Sequence, residues 1–210
     1  MDEANESRQR DFQEWMVTQA LADYLGEPGK EDPRRMTWLF ALEAETPDGI
    51  RSITDMCKFE WAEEIGGGHE VSFKDDDKGK LTLEEFKKKF WTITPDFRYW
   101  TKDGTKQLII EAKGTPKPIG RRDRDQAERY FKYLQDSGFH GAIVYFAPSP
   151  QDWLKLLIEK SGNSGIPFGA VDLKDKIIPE VHNELVRVVA MALVQTADLL
   201  GQALRFSKTT

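Results

Sequence analysis

The sequence predicts an α/β protein, on three observations. Thr94–Gly114 (TPDFRYWTKDGTKQLIIEAKG) reads as two strands joined at an Asp-Gly turn. Gly141–Phe146 (GAIVYF) is a short continuous apolar run of the kind that forms a strand buried on both faces. Segments before, between and after these carry apolar residues at helical spacing.

Taken in order, Met1–Arg10 is polar, and Asp11–Leu25 carries Phe12, Trp15, Met16, Ala20 and Tyr24 at helical spacing. Gly26–Pro33 (GEPGKEDP) stops that helix. Met36–Glu45 fits a helix or a strand. Thr46-Pro47-Asp48-Gly49 is a strong turn signal. Ile53, Cys57, Trp61 and Ile65 favour a helix over 50–65, ended by Gly66-Gly67-Gly68; the alternative is a hairpin of 36–45 with 50–57. A short strand at His69–Phe73, a charged loop at Lys74–Lys80 and a capping box at Thr82–Glu85 opening a short helix precede the central hairpin. Gly114–Arg124 (GTPKPIGRRDR) reads as a loop, with Asp125 as the N-cap of a helix to near Asp136. After Gly141–Phe146 come a helix at Pro150–Lys160, a turn-rich stretch at Gly162–Gly169 and a short strand at Ala170–Leu173. Glu180–Phe206 is a long amphipathic helix, with Leu185, Val189 and Leu193 available for packing.

A length of 210 residues suits one domain, divided into an N-terminal helical extension (1–49), a core (50–147) and a C-terminal helical part (148–210). Hydrophobic residues at 39% suffice for a sizeable core, and charged residues at 31% imply a highly charged surface. The net charge of −6 argues against a generally basic coat but leaves room for a local basic groove. Cys57 is the only cysteine, which excludes an internal disulfide and a cysteine-based zinc site. His69, His140 and His182 lack metal-ligand spacing, and neither a phosphate-binding Gly-rich loop nor a Ser/His/Asp arrangement is present. With no signal-like or membrane-spanning run, the expectation is a soluble, cytoplasmic protein without a membrane partner.

The chemistry concentrates in the hairpin. Strand alternation puts Ile109, Glu111 and Lys113 on one face and Leu108, Ile110 and Ala112 on the other. An acid and a base thus end a strand that otherwise looks buried, where each needs a partner. The bland reading, a surface ion pair, sits poorly beside Leu108-Ile109-Ile110. Asp96, after Pro95 on the neighbouring strand, can converge on Glu111 if the strands pair. Two carboxylates suit a hard cation such as Mg²⁺, and a nearby lysine can orient a water or stabilise developing charge in phosphodiester hydrolysis.

Pro95-Asp96 followed by Glu111-Ala112-Lys113 resembles the signature of the PD-(D/E)xK nuclease superfamily, with 111 − 96 = 15 positions between the acids. Gln126-Ala127-Glu128-Arg129-Tyr130 is similar to the QxxxY element of recombination helicase-nucleases and type I restriction motor subunits. The TPDF…DG…IEAKG phrase also resembles the catalytic subunit of heteromeric transposases. The match covers roughly residues 50–147 and is strongest over 94–130.

The resemblance implies a restriction-endonuclease-like core, a small mixed sheet flanked by helices, with N- and C-terminal helical additions. It implies an Mg²⁺- or Mn²⁺-dependent nuclease acting on DNA, with metal on Asp96, Glu111 and the Ala112 carbonyl, and Lys113 acting on water. The family takes a further acid from an upstream helix: Glu60 first, then Glu64, or Glu43 if 36–45 is that helix. Gln126 and Tyr130, four apart on one helix face, would touch the DNA backbone or orient Lys113; Tyr130 as plain core packing is the alternative. Arg121 and Arg122, with Arg124, would neutralise phosphates. Two rivals stand beside this: an RNA endonuclease of the viral-polymerase type, and a non-catalytic nucleic-acid-binding or assembly protein on the same fold. Oligomeric state stays open, a homodimer or a larger DNA-processing complex being compatible with the residues.

Overall fold

The computed structural model of the chain describes residues 17–26, 32–58, 95–101, 105–114 and 119–180. Its centre is one six-stranded mixed sheet in the order β2-β1-β6-β5-β4-β3. Helical residues 17–25 (α1) are followed by α2 (Pro33–Ala41), β1 (Glu43–Thr46), β2 (Gly49–Ser52) and α3 (Ile53–Cys57). Then come β3 (Phe97–Trp100), β4 (Lys106–Ala112), α4 (Arg121–Ser137), β5 (His140–Ala147), α5 (Pro150–Ser161) and β6 (Phe168–Asp172). A wide helical turn at Leu173–Ile177, capped by Asp172, leads into a last short turn at Ile178–Glu180.

Local chemistry explains the boundaries. Asp32 caps α2 by accepting from the Arg34 amide at 2.8 Å, and Pro33 sits at the first helical position, where its missing N–H is not needed. The turn after β1 uses Gly49 at φ 116°, a conformation that side-chain-bearing residues avoid. In α4 the N-cap is Gly120, whose amide donates to Asp123 Oδ2 at 2.9 Å, and Gly138 closes the helix at φ 69°.

β3 and β4 pair antiparallel, Phe97 opposite Ile110; β4 runs parallel to β5, and β5 parallel to β6. Such parallel pairs need crossovers, which α4 and α5 supply. Both helices lie on one face of the sheet, where Ile109, Ala127, Tyr130, Tyr145, Trp153 and Leu157 form one core. The opposite face is covered by α1, α2 and α3, whose Leu21, Leu25, Met36, Leu39, Ile53 and Met56 pack with Leu108, Ile110 and Val144. Three layers result, with β4 and β5 buried on both sides.

Several expectations are corrected. Over 50–58 the helix expected for 50–65 is replaced by β2, hairpinned to β1 with Glu43 opposite Ser52, and the short α3; residues 59–65 lie outside the described residues. The ambiguous 36–45 divides into the end of α2 and most of β1. Residues 121–124, read as loop, form the first turn of α4, and Gly120 rather than Asp125 is the N-cap. The sheet also crosses the expected divisions at 49/50 and 147/148, taking β1 from 43–46 and β6 from 168–172. The expected elements at 69–73 and 82–89, the long helix expected over 180–206 beyond Glu180, and the turn at 102–104 lie outside the described residues. Among the described residues no helix is long and apolar enough to cross a membrane.

Candidate active site at the ends of β3 and β4

The alternation along β4 points Leu108, Ile110 and Ala112 into the apolar face and Glu111 and Lys113 toward α4. Glu111 and Lys113 are each only 4% exposed. Charges this dry persist only where they are paired and hydrogen-bonded, and here they are. Lys113 Nζ donates to Glu111 Oε1 at 2.7 Å and to Gln126 Oε1 at 3.1 Å. Gln126 Nε2 donates to the same Glu111 oxygen at 2.9 Å, and Tyr130 Oη donates to Glu111 Oε2 at 2.6 Å. The Gln126 amide thus turns its oxygen to the ammonium and its nitrogen to the carboxylate, the orientation charge demands. Burial and the Glu111 charge push the Tyr130 phenol well above its ordinary range, so it stays a donor.

Asp96 enters from the neighbouring strand. Continuing the register of Phe97 with Ile110 by one residue sets Asp96 across from Glu111, and Asp96 Oδ2 accepts from the Ala112 amide at 2.7 Å. One carboxylate therefore sits against the 111–112 peptide whose other end carries the second. The site lies at the carboxyl ends of the parallel strands β4 and β5, where open α/β sheets bind their ligands. α4 begins beside it and brings Gln126 and Tyr130 in on one face.

Sequence reasoning missed Asp123. It was read as part of a solvated loop, yet it is buried, caps Gly120, and holds Oδ1 3.9 Å from Lys113 Nζ. Its signal was present: Asp123, Gln126 and Tyr130 follow the i, i+3, i+7 spacing of one helix face. Two aromatics were missed as well. Trp153 of α5 lies with its ring 5.8 Å from Lys113 Nζ, a cation–π distance. Tyr145, next to Glu111 in the parallel register, stacks on Trp153 with ring centroids 5.3 Å apart. Burial, and the Glu111 charge after it, push the Tyr145 phenol well up too.

Of the expected metal ligands, Asp96, Glu111 and Ala112 come together. Glu43 does not: it is exposed on β1, three strands from β4, roughly 14 Å at the usual strand spacing. Glu60 and Glu64 lie outside the described residues. Among the described residues no group of three His, Cys, Asp or Glu side chains converges to hold an ion. Asp96 and Glu111 nevertheless fit a hard divalent cation by type, because Mg²⁺ takes one or two carboxylates and completes its shell with water or substrate oxygens. The fit is competitive, since both Glu111 oxygens already accept hydrogen bonds.

Arg121 and Arg122 are exposed in the first turn of α4, with Arg124 beside them ion-paired to Glu159. Cations there oppose the helix dipole, whose positive end favours anions. Comparison with protein-family models, with curated proteins and with solved structures finds no match to this chain.

Proposed function

We propose that this chain is an Mg²⁺- or Mn²⁺-dependent nuclease that hydrolyses phosphodiester bonds in DNA, on a restriction-endonuclease-like core. The observation that carries the reading is the dry Glu111–Lys113 pair, bracketed by Gln126 and Tyr130, with Asp96 docked on the 111–112 peptide. A buried ion pair is weak as a stability device, so its presence beside a second carboxylate supports a chemical role. The order strand, strand, helix, strand from β3 to β5 is also part of the element order that the PD-(D/E)xK resemblance implies.

In this reading Asp96 and Glu111 hold the cation, with the Ala112 carbonyl as a further ligand. A bound Mg²⁺ or Mn²⁺ supplies charge neutralisation at the phosphate and acidifies a water. Lys113, which has no lone pair while protonated, orients that water or meets the negative charge developing on the phosphate. Gln126 holds the Lys113 amine in place, and Tyr130 holds the Glu111 carboxylate. Arg121 and Arg122 meet backbone phosphates, which makes sense of cations at a helix start. The likeness of Gln126 and Tyr130 to the QxxxY element supports DNA over RNA.

A second reading, a non-catalytic nucleic-acid-binding or assembly protein, is favoured by one observation: Glu111 is fully hydrogen-bonded by protein groups alone. The test is incubation of the purified protein with single-stranded DNA, duplex DNA and RNA, each with Mg²⁺, Mn²⁺ or EDTA. Cleavage of DNA that needs metal and disappears in Asp96→Ala is expected. Full cleavage in EDTA, or none on any substrate, overturns the nuclease reading, and RNA-only cleavage moves it to the RNA endonuclease class.

A further inference from the structure

Lys113 faces two carboxylates. Glu111 Oε1 is at 2.7 Å from Nζ and Asp123 Oδ1 at 3.9 Å, on opposite supports: Glu111 on β4, Asp123 on the first turn of α4. Asp123 is 6% exposed, and its Oδ2 is tied to the Gly120 amide at 2.9 Å, which aims the other oxygen. The nuclease reading asks Glu111 to do two things at once. It must hold a cation, and it is the nearest counter-charge of the lysine. A divalent ion on the Glu111 oxygens withdraws much of the charge that Lys113 relies on and repels the ammonium directly. A buried ammonium that loses its counter-charge is strongly destabilised.

We propose that Asp123 is a positioning residue of this site: it takes over as counter-charge of Lys113 when Glu111 turns to the divalent cation, keeping the amine beside the reacting phosphate. The proposal rests on the reading of Asp96 and Glu111 as metal ligands. It gives Asp123 a role apart from its cap, because capping needs only Oδ2 while Oδ1 faces Nζ. It also accounts for a carboxylate buried at a helix start within 3.9 Å of Lys113 Nζ.

The experiment is calorimetric titration of Mn²⁺ into four full-length proteins without nucleic acid: wild type, Asp123→Asn, Lys113→Gln and the double variant. Asparagine keeps an oxygen to cap Gly120, and glutamine keeps a donor to Glu111, so both hold the local hydrogen bonds while losing charge; thermal melts check folding, and Asp123→Ser, whose hydroxyl also caps, replaces the asparagine variant if that melts early. Asp123→Asn is expected to weaken Mn²⁺ binding about tenfold when Lys113 is present, within the usual range of coupling between sites. In the Lys113→Gln background the same change is expected to alter affinity less than about twofold, since no ammonium is left to hold. Equal weakening in both backgrounds makes Asp123 a direct ligand or a remote charge, and no weakening in either leaves it a helix cap; both results overturn the proposal. Absence of Mn²⁺ binding by wild type, or binding unaffected by Asp96→Ala, instead overturns the nuclease reading itself.

Discussion

The two faces of β4 are equally dry and differently made. Toward α1–α3, Leu108, Ile110 and Ala112 pack in a hydrophobic cluster. Toward α4 and α5, Ile109 is followed by Glu111 and Lys113, which meet an amide, a phenol and a third charge. Burying the first face gains roughly 25 cal/mol per Å² of apolar area with no geometric condition. Burying the second depends on matched polar partners, because a half-satisfied polar network is worse than an apolar core: Glu111 and Lys113 have theirs, while the buried Tyr145 hydroxyl beside them has no hydrogen-bond partner among the described residues. One strand thus carries the stability of the sheet on one side and, in the proposed reading, its chemistry on the other.

The sharpest way to break this contrast is to remove one partner on the polar side. Lys113→Met leaves Glu111 buried without its cation and should cost about 3–5 kcal/mol in chemical denaturation. Adding Glu111→Leu should restore most of that loss while cleavage and Mn²⁺ binding stay absent. A double variant as unstable as the single one would mean that the pair is structural. On the apolar side Ile110→Ala should cost about 2–5 kcal/mol by opening a cavity, with Mn²⁺ affinity unchanged in the folded protein. Loss of metal binding there would show that the faces are not separable.

A smaller effect comes from Tyr130→Phe, which removes one hydrogen bond to a charged acceptor and should cost about 1.5–3 kcal/mol, together with reduced cleavage. Stability as in wild type would detach Tyr130 from Glu111. The faces should also separate at alkaline pH. Tyr130 and Tyr145 hold their protons in the folded state beyond the ordinary phenol range, through burial first and the Glu111 charge second. Their contribution is therefore complete below about pH 10, where an unfolded tyrosine titrates, and declines as pH rises above it. Tyrosinate absorbance from these two should appear only with unfolding; ionisation of all five tyrosines before the fold is lost would contradict it. Least of all, Arg121→Ala should change stability by under about 0.5 kcal/mol, while lowering the salt slope of DNA binding by about 1. An unaltered slope removes Arg121 from the DNA interface.

The polar face was legible because strand and helix periods are short-range. Alternation put Glu111 and Lys113 together, and four-residue spacing put Gln126 with Tyr130; the structure joins the two pairs. Gln126 touches Lys113 and Glu111, and Tyr130 touches Glu111 while also lying buried in the core, as its packing alternative has it. Asp123 escaped because a charged residue in a Pro/Gly-rich stretch reads as solvated, and only the helix starting at Gly120 turns it inward. The β1–β2 hairpin was weighed as the alternative and lost to the helix for a different reason. Ile53 and Cys57 do lie on one helical face, but α3 is only 5 residues long, and the strands before it are held through β6, which no local pattern reveals. Glu43 was weighed as a third acid only if 36–45 were the upstream helix, whereas it opens β1.

That distant pairing has a consequence for how the chain is made. Glu45 meets Ala170, 170 − 45 = 125 residues further on, and β6 joins the β1–β2 hairpin to the rest of the sheet. A lone two-stranded hairpin is marginal in water, and closing so long a loop comes late because its entropy must be met before the contact forms. At about 5–20 residues per second of synthesis, the hairpin waits roughly 6–25 s for its partner to be made. During that wait the edge of β1 that will meet β6 is open to pairing with another nascent chain.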